Sequence, residues 1–161
     1  MLDELEDIFD DDDSIEYTYL VFHLQGERYA VRVASVNEIV RMSELATLPD
    51  VPHYIKGVMS LRGRIVPVMD MRLRCGLEEQ EYNDRTVVVV LEFEGKSCGL
   101  VVDSVVEVVE LPPELVSDAP VASAAASVVT GLAQREEQVY ILLNIERLLL
   151  STESLNLAVS Q

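Results

Sequence analysis

YLVFHLQGERYAVRVASVNEIVRM, residues 19–42, and VVVLEFEGKSCGLVVDSVVEVVEL, residues 88–111, are two versions of one pattern. At an offset of 69 positions Gly26 falls on Gly95, the apolar positions largely coincide, and Ser35-x-x-Glu38 falls on Ser104-x-x-Glu107. Self-similarity of this kind marks a duplicated structural unit. Each copy holds two short runs of β-branched and aromatic residues around its glycine: Tyr17–Leu24 and Tyr29–Val33 about Gly26, Thr86–Phe93 and Ser97–Val102 about Gly95. Those are hairpin signatures. The Ser-x-x-Glu that follows each hairpin spells a capping box and predicts a helical turn. The β-branched run Val105–Val109 argues for a strand instead, and both readings stay open.

The repeat resumes further along at an offset of 74, where GVMSLRGRIVPVMDMRL (57–73) falls on GLAQREEQVYILLNIER (131–147). The five extra residues lie in a connection that is Pro-rich at 111–120 and Ala/Ser-rich at 121–128. Ile65–Met69 and Val139–Leu143 read as strands. Pro67 suits an edge strand, since it has no N–H to give to a ladder. Asp70 falls on Asn144, and each can cap a short helical turn, over Met71–Arg74 and Ile145–Leu150. The implied architecture is mainly β: two similar five-stranded barrels packed together, with short helical turns and a short C-terminal helix. The lobes run roughly over 19–74 and 86–147, with room for strands to exchange between them.

The chain has 161 residues and a formal net charge of −17, which suits one globular domain or two small lobes. Nine acids and no base lie in residues 1–16, so this stretch reads as a disordered acidic tail and 17–150 as the folded domain; 151–161 reads as a C-terminal tail. An acidic surface without Trp, and with few aromatics, disfavours nucleic acid and anionic membranes. Neither a signal peptide nor a membrane-spanning run is present, which predicts a cytoplasmic protein without direct membrane insertion. Cys75 and Cys98 match no metal or redox spacing and read as reduced structural thiols. Asp50, His53 and Ser60 lack the surroundings of a catalytic triad, and no Gly-rich phosphate loop exists. The sequence therefore predicts no enzyme, metal or cofactor.

Function is expected where the repeats diverge, because both copies solve the same packing problem. The largest difference is a turn: Ser60-Leu61-Arg62-Gly63 in the first half, Gln134-Arg135-Glu136-Glu137 in the second. Gly63 allows positive φ and so fixes Arg62 beside a strand. Between Lys56 and Arg74 the bases Lys56, Arg62, Arg64, Arg72 and Arg74 face only Asp70, a local charge of +4. This stretch is either a solvated face or a docking surface for carboxylates, which the Arg fork grips well.

Four segments together resemble the CheW family, the adaptors of bacterial chemotaxis arrays: residues 19–40, 48–77, 86–111 and 131–149. The most specific is I-K-G-V-x-x-L-R-G-x-I-x-P-V-x-D-x-R, over Ile55–Arg72. The resemblance implies two SH3-like barrels around a shared core, and no catalysis. It implies an adaptor that couples the cytoplasmic tips of methyl-accepting chemoreceptors to the regulatory domain of the CheA histidine kinase, with ring assembly alongside the kinase in membrane-associated arrays. The same domain type serves pilus-based motility and other non-flagellar pathways. Matched position by position, Arg62, Gly63, Val36 and Gly57 fall on receptor-binding positions, and Val33 and Glu38 on positions tied to kinase contact. Val33 and Val36 equally suit a buried core, and Gly57 a purely backbone role. Ser60 stands where the family usually has Asn before the Leu-Arg-Gly turn, so no side-chain amide is available there.

Overall fold

In the computed structural model of the chain, the structure describes residues 15–119 and 125–152. The acidic tail, apart from its last two residues, and the C-terminal tail beyond Thr152 lie outside the described residues. The first repeat supplies β1 (Thr18–Leu24), β2 (Glu27–Arg32), β3 (Val36–Arg41), β4 (Ile55–Leu61), β5 (Arg64–Asp70) and α1 (Met71–Arg74). The second supplies β6 (Val87–Phe93), β7 (Lys96–Val102), β8 (Ser104–Glu110), the two-residue β9 (Val116–Ser117), β10 (Val129–Arg135), β11 (Gln138–Leu143) and α2 (Ile145–Leu150).

Neither sheet is drawn from one repeat. One runs β8-β1-β2-β11-β10-β9, the other β3-β6-β7-β5-β4. Each sheet is a hairpin of one repeat flanked on both sides by strands of the other, with a single parallel pair in each: β2 with β11, and β7 with β5. The chain leaving the outer strand β3 returns at Ala46 to exchange two 2.9 Å backbone hydrogen bonds with Val58 of β4, the opposite outer strand. In the other sheet β9 makes the same return from β8 onto β10.

This interleaving explains the near-continuous apolar runs. β1 and β6 are buried on both faces, as central strands covered on each side must be. Leu20, Phe22 and Leu24 of β1 meet Val89 and Leu91 of β6 in one core shared by the two sheets. The alternate residues turn the other way: Tyr19 and Val21 into a core of the first sheet, Val88 and Val90 into one of the second. The two helical turns close the shared core with Met71, Ile145, Leu148 and Leu149. Their caps form where the repeat placed them. Asp70 Oδ1 accepts from Leu73 N at 3.3 Å, and Asn144 Oδ1 from Arg147 N at 3.0 Å.

One open reading is decided and one expectation is corrected. A short 3-10 turn, Val33–Ser35, follows the first hairpin, but Glu38 lies in β3 and Ser104–Glu110 is all β8, so beyond Ser35 both Ser-x-x-Glu segments take the strand reading. Strand wins because β3 and β8 each pair along their length with the other repeat's hairpin, which satisfies the backbone and buries Val109. Pro67 is in an interior strand, since β5 lies between β4 and β7. It is tolerated there because the ladder to β7 starts only at Val68, one residue past the missing N–H.

Candidate functional site

The β4–β5 turn sets Arg62 in place. Leu61 pairs with Arg64, leaving Arg62 and Gly63 as a two-residue loop with φ of 53° and 80°. Both residues at positive φ is the type I′ geometry whose twist matches a hairpin. Glycine takes it freely; Arg62 accepts a strain of roughly 1 kcal/mol. Its side chain, 79% exposed, reaches Glu38 Oε1 of β3 at 3.2 Å, while the Glu38 side chain is only 18% exposed. Glu38 is offered at this point because the β3–β6 register slips between Val36 and Glu38, and bulges re-aim side chains. A small cleft of about 40 Å³ between them is lined by Leu61, Arg64, Val66 and Ser97.

Arg62, Gly63 and Glu38 therefore come together, although the resemblance assigned them to two different partners. Val33 and Val36 lie on the same stretch of chain, but both side chains are buried in the shared core. Gly57 is also buried: at φ +143° a Cβ would stand 2.3 Å from the Ala46 carbonyl oxygen. The structure gives it the task of letting the returning chain cross β4. Gly131, its counterpart on β10, meets the Ser117 carbonyl oxygen in the same way at 2.8 Å.

The basic stretch is not a free face. Lys56 pairs with Glu79, and Arg64 lies 3.4 Å from Glu92. Arg74 donates to Ser151 at 2.9 Å and lies over the Tyr54 ring at 5.5 Å. Arg72 forms a fork to Asp103, Nε to Oδ1 at 2.8 Å and Nη2 to Oδ2 at 2.6 Å. Folding brings in acids from sequence-distant strands that a local charge count does not see. Of these bases Arg62 has the freest side chain and a thin internal tie.

The Arg72–Asp103 fork is a feature that spacing could not reveal. It fastens α1 to the β7–β8 turn, and Asp103 also accepts from Gln25 N at 2.9 Å. Partial burial works to raise the Asp103 pKa, but the Arg72 hydrogen bonds, the Gln25 N–H and the Arg72 charge outweigh it and hold the carboxyl below its ordinary range. Beside it buried Asp70 takes a 2.8 Å hydrogen bond from the Tyr82 hydroxyl, which burial and then Asp70 itself push well above an ordinary phenol. These groups line a cleft of about 220 Å³. Each is matched within the chain, Arg72 with Asp103 and Tyr82 with Asp70. The repeat alignment carried the only signal, since Arg72 falls on Glu146 and Asp103 on Ala34.

Burial pushes the Cys75 thiol up to about 11 and Cys98 to about 12, which keeps both protonated and poorly nucleophilic near neutral pH. Among the described residues no group of three His, Cys, Asp or Glu side chains is placed to hold a metal ion, and no helix is long and apolar enough to cross a membrane.

The family profile of the CheW-like domain matches residues 18–153, both repeats and the connection between them. The chain belongs to the CheW-like domain family. It is similar to the chemotaxis protein CheW of Klebsiella aerogenes, 36% identical over 143 residues that cover 88% of this chain and 86% of that one. Among solved structures it resembles the scaffolding protein TtCheW from Thermoanaerobacter tengcongensis, with a TM-score of 0.75 and 28% identity over 80% of this chain and 89% of that one. It is also similar to the protein PilI of Pseudomonas aeruginosa, 28% identical over 118 residues, covering 72% of this chain and 66% of that one. The CheW-like architecture is thus the observed one: mainly β, two sheets, with few and short helices.

Proposed function

We propose that the chain is a chemotaxis adaptor that joins the cytoplasmic tip of a chemoreceptor to the regulatory domain of a CheA histidine kinase. It works in the cytoplasm, at membrane-associated arrays, and does no chemistry of its own. The observation that carries this reading is Arg62: a guanidinium held at a fixed turn, largely in solvent, with a single weak partner. An exposed pair of this kind is worth about 0–1 kcal/mol. Arg62 therefore leaves Glu38 at little cost for a carboxylate on an incoming helix. Val36 and Gly57 hold the turn's setting from within, Val36 by packing into the shared core and Gly57 by letting the return segment cross. Because Glu38 and Val33 lie on the strand connection that also bears Val36, a kinase surface docked at Glu38 senses the same ion pair. Coupling then comes from the difference in contacts between receptor states.

The test is calorimetry of a purified receptor-tip fragment with the protein and its Arg62→Glu variant. A loss of about 2 kcal/mol is expected for reversing a charge at a central contact. Unchanged affinity removes Arg62 from the receptor site. The similarity to PilI favours a second reading, in which the same site serves a pilus-motility pathway. Retention of receptors and kinase from flagellar or from pilus systems on immobilised protein separates the two.

A further inference from the structure

Both repeats leave a seam where the strand after the first hairpin lies beside the end of the second, β3 beside β4–β5 and β8 beside β10–β11. The two seams are lined by equivalent positions. At the repeat's offsets Ser97 falls on Arg28, Leu61 on Arg135, Arg62 on Glu136 and Val66 on Tyr140. The first seam keeps a cleft of about 40 Å³, and the second opens to about 430 Å³. It stays open because β9 bridges only Leu132 and Ala133, so Gln134 and Arg135 run on past it. We propose that this second seam binds a small zwitterion, an α-amino acid with an apolar side chain, its carboxylate on Arg28 and its ammonium among the acids of the rim.

Arg28 selects the place. Among the described residues its Nε is the one buried side-chain nitrogen or oxygen with no hydrogen-bond partner, and a buried N–H left unmade is costly. Exposed cations such as Arg32, Arg41 and Arg85 carry no such debt, since water reaches them. Arg28 is the register partner of Tyr140 across the parallel β2–β11 pair, so both belong to the floor of the cleft. Arg135 crosses the seam to donate from Nη1 to the Glu110 carbonyl oxygen at 2.9 Å. Glu107, Glu110 and Glu136 supply the acids. Burial and then Glu107 raise the Tyr140 pKa, Arg28 and Arg135 oppose them, and Glu136 adds to the rise, so charges of both signs act on this floor. A lone anion would meet three carboxylates, and a lone cation would leave the Arg28 Nε–H unmade. A zwitterion answers both. Val108 and Val109 offer its side chain an apolar wall, and the volume lies within the roughly 300–1,000 Å³ of small-molecule sites. The bound molecule ties β8 to the β10–β11 end, as Glu38 and Arg62 tie β3 to the β4–β5 end.

The test titrates L-leucine into the full chain. It is followed at the Arg28 Nε–H resonance of ¹⁵N-labelled protein and by saturation transfer to the leucine methyl groups. The resonance should shift saturably with a Kd on the order of millimolar, in keeping with so small a ligand. Isocaproate lacks the ammonium and leucinamide lacks the carboxylate, and each should bind about tenfold more weakly. Arg28→Gln should abolish saturation transfer. Glu107→Gln keeps Arg28 in place, and it should weaken leucine by about threefold or more while leaving isocaproate no weaker. That second variant decides the matter even if the first does not fold. An Arg28 resonance unmoved at about 20 mM leucine overturns the proposal and leaves the Nε–H to buried water. N-acetyl-leucine binding as tightly as leucine overturns it in favour of a peptide C-terminus. Isocaproate binding as tightly as leucine overturns it in favour of a site for any carboxylate.

Discussion

The two hairpin ends at β4–β5 and β10–β11 occupy equivalent places in the repeat and carry opposite electrostatics. At the first, Arg62 meets Glu38 across a cleft of about 40 Å³. At the second, the matching residues are Glu136 and Glu107, two acids, and the cleft beside them measures about 430 Å³. Both turns set their first central residue at positive φ, 53° at Arg62 and 58° at Glu136. The first central residue keeps its left-handed conformation while its charge is inverted; the second does not, since Gly63 has φ of 80° and Glu137 is not at positive φ. A duplicated scaffold can hold a position geometrically constant while one copy changes what it presents, and here the copy with the guanidinium is the one fitted to receive a carboxylate. The comparison also sorts the glycines. Gly57 and Gly131 match because both let a returning chain cross closely, so their role belongs to the scaffold.

The largest effect expected from this comparison lies in those glycines. Gly57→Ala places a methyl group 2.3 Å from the Ala46 carbonyl oxygen at a φ of +143°, so clash and backbone strain add. We expect a loss of about 3–4 kcal/mol in urea unfolding. Gly131→Ala meets the Ser117 oxygen at 2.8 Å, with no positive φ to oppose it, and β9 is a two-residue exposed strand able to yield. About 1–2 kcal/mol is expected there. Equal losses would mean that the two returns are equally rigid and would remove this distinction between the halves.

The Arg72–Asp103 fork has no counterpart in the other half, where Glu146 and Ala34 stand. Asp103→Asn should cost about 2 kcal/mol at neutral pH, since it weakens two charge-assisted hydrogen bonds at a partly buried site. Glu146→Ala should cost less than about 0.5 kcal/mol. The Asp103 carboxyl has a lowered pKa in the folded chain. Its stabilisation is therefore complete above the ordinary aspartate value of about 4 and is lost as pH falls through the lower folded value. Asp103→Asn should flatten that acid limb of the stability–pH curve and leave the curve above about pH 5 parallel to that of the parent. An unchanged acid limb would show that the fork does not distinguish the halves energetically.

Much of the fold was legible because it was written twice. Gly26 over Gly95 and Asp70 over Asn144 located two hairpins and two capped turns, and each is present. What stayed hidden was non-local. The capping boxes at Ser35 and Ser104 obeyed a local helix rule, but long-range pairing with the other repeat's hairpin outweighed it. Pro67 obeyed a rule about ladders whose extent only tertiary structure defines. At the site, the divergent turn singled out Arg62 directly. The contact with Glu38 did not follow from spacing, because a register slip in β3 delivers it. The neutralisation of Lys56, Arg64 and Arg72 depends on acids 23, 28 and 31 residues away. A local charge sum cannot see partners delivered by other strands.

The smallest expected effect tests the comparison most directly. Glu136→Arg restores at the second hairpin end the charge arrangement of the first, at a position already in the left-handed region, so the substitution adds no backbone strain of its own. The new guanidinium would line the cleft that Glu107 also lines, together with Arg28 and Arg135. An exposed pair of this type contributes about 0.2–1 kcal/mol. A double-mutant cycle with Glu107→Gln should return a coupling of that size, reduced by salt. The Arg62→Gln and Glu38→Gln cycle at the native pair should agree with it within about 0.5 kcal/mol. Agreement would make the Arg62–Glu38 contact what the geometry describes, a weak tie that keeps a guanidinium oriented while leaving it free to change partners. A native coupling above about 2 kcal/mol would make the pair a structural clamp. Arg62 could then not be released to a receptor carboxylate without destabilising the second sheet.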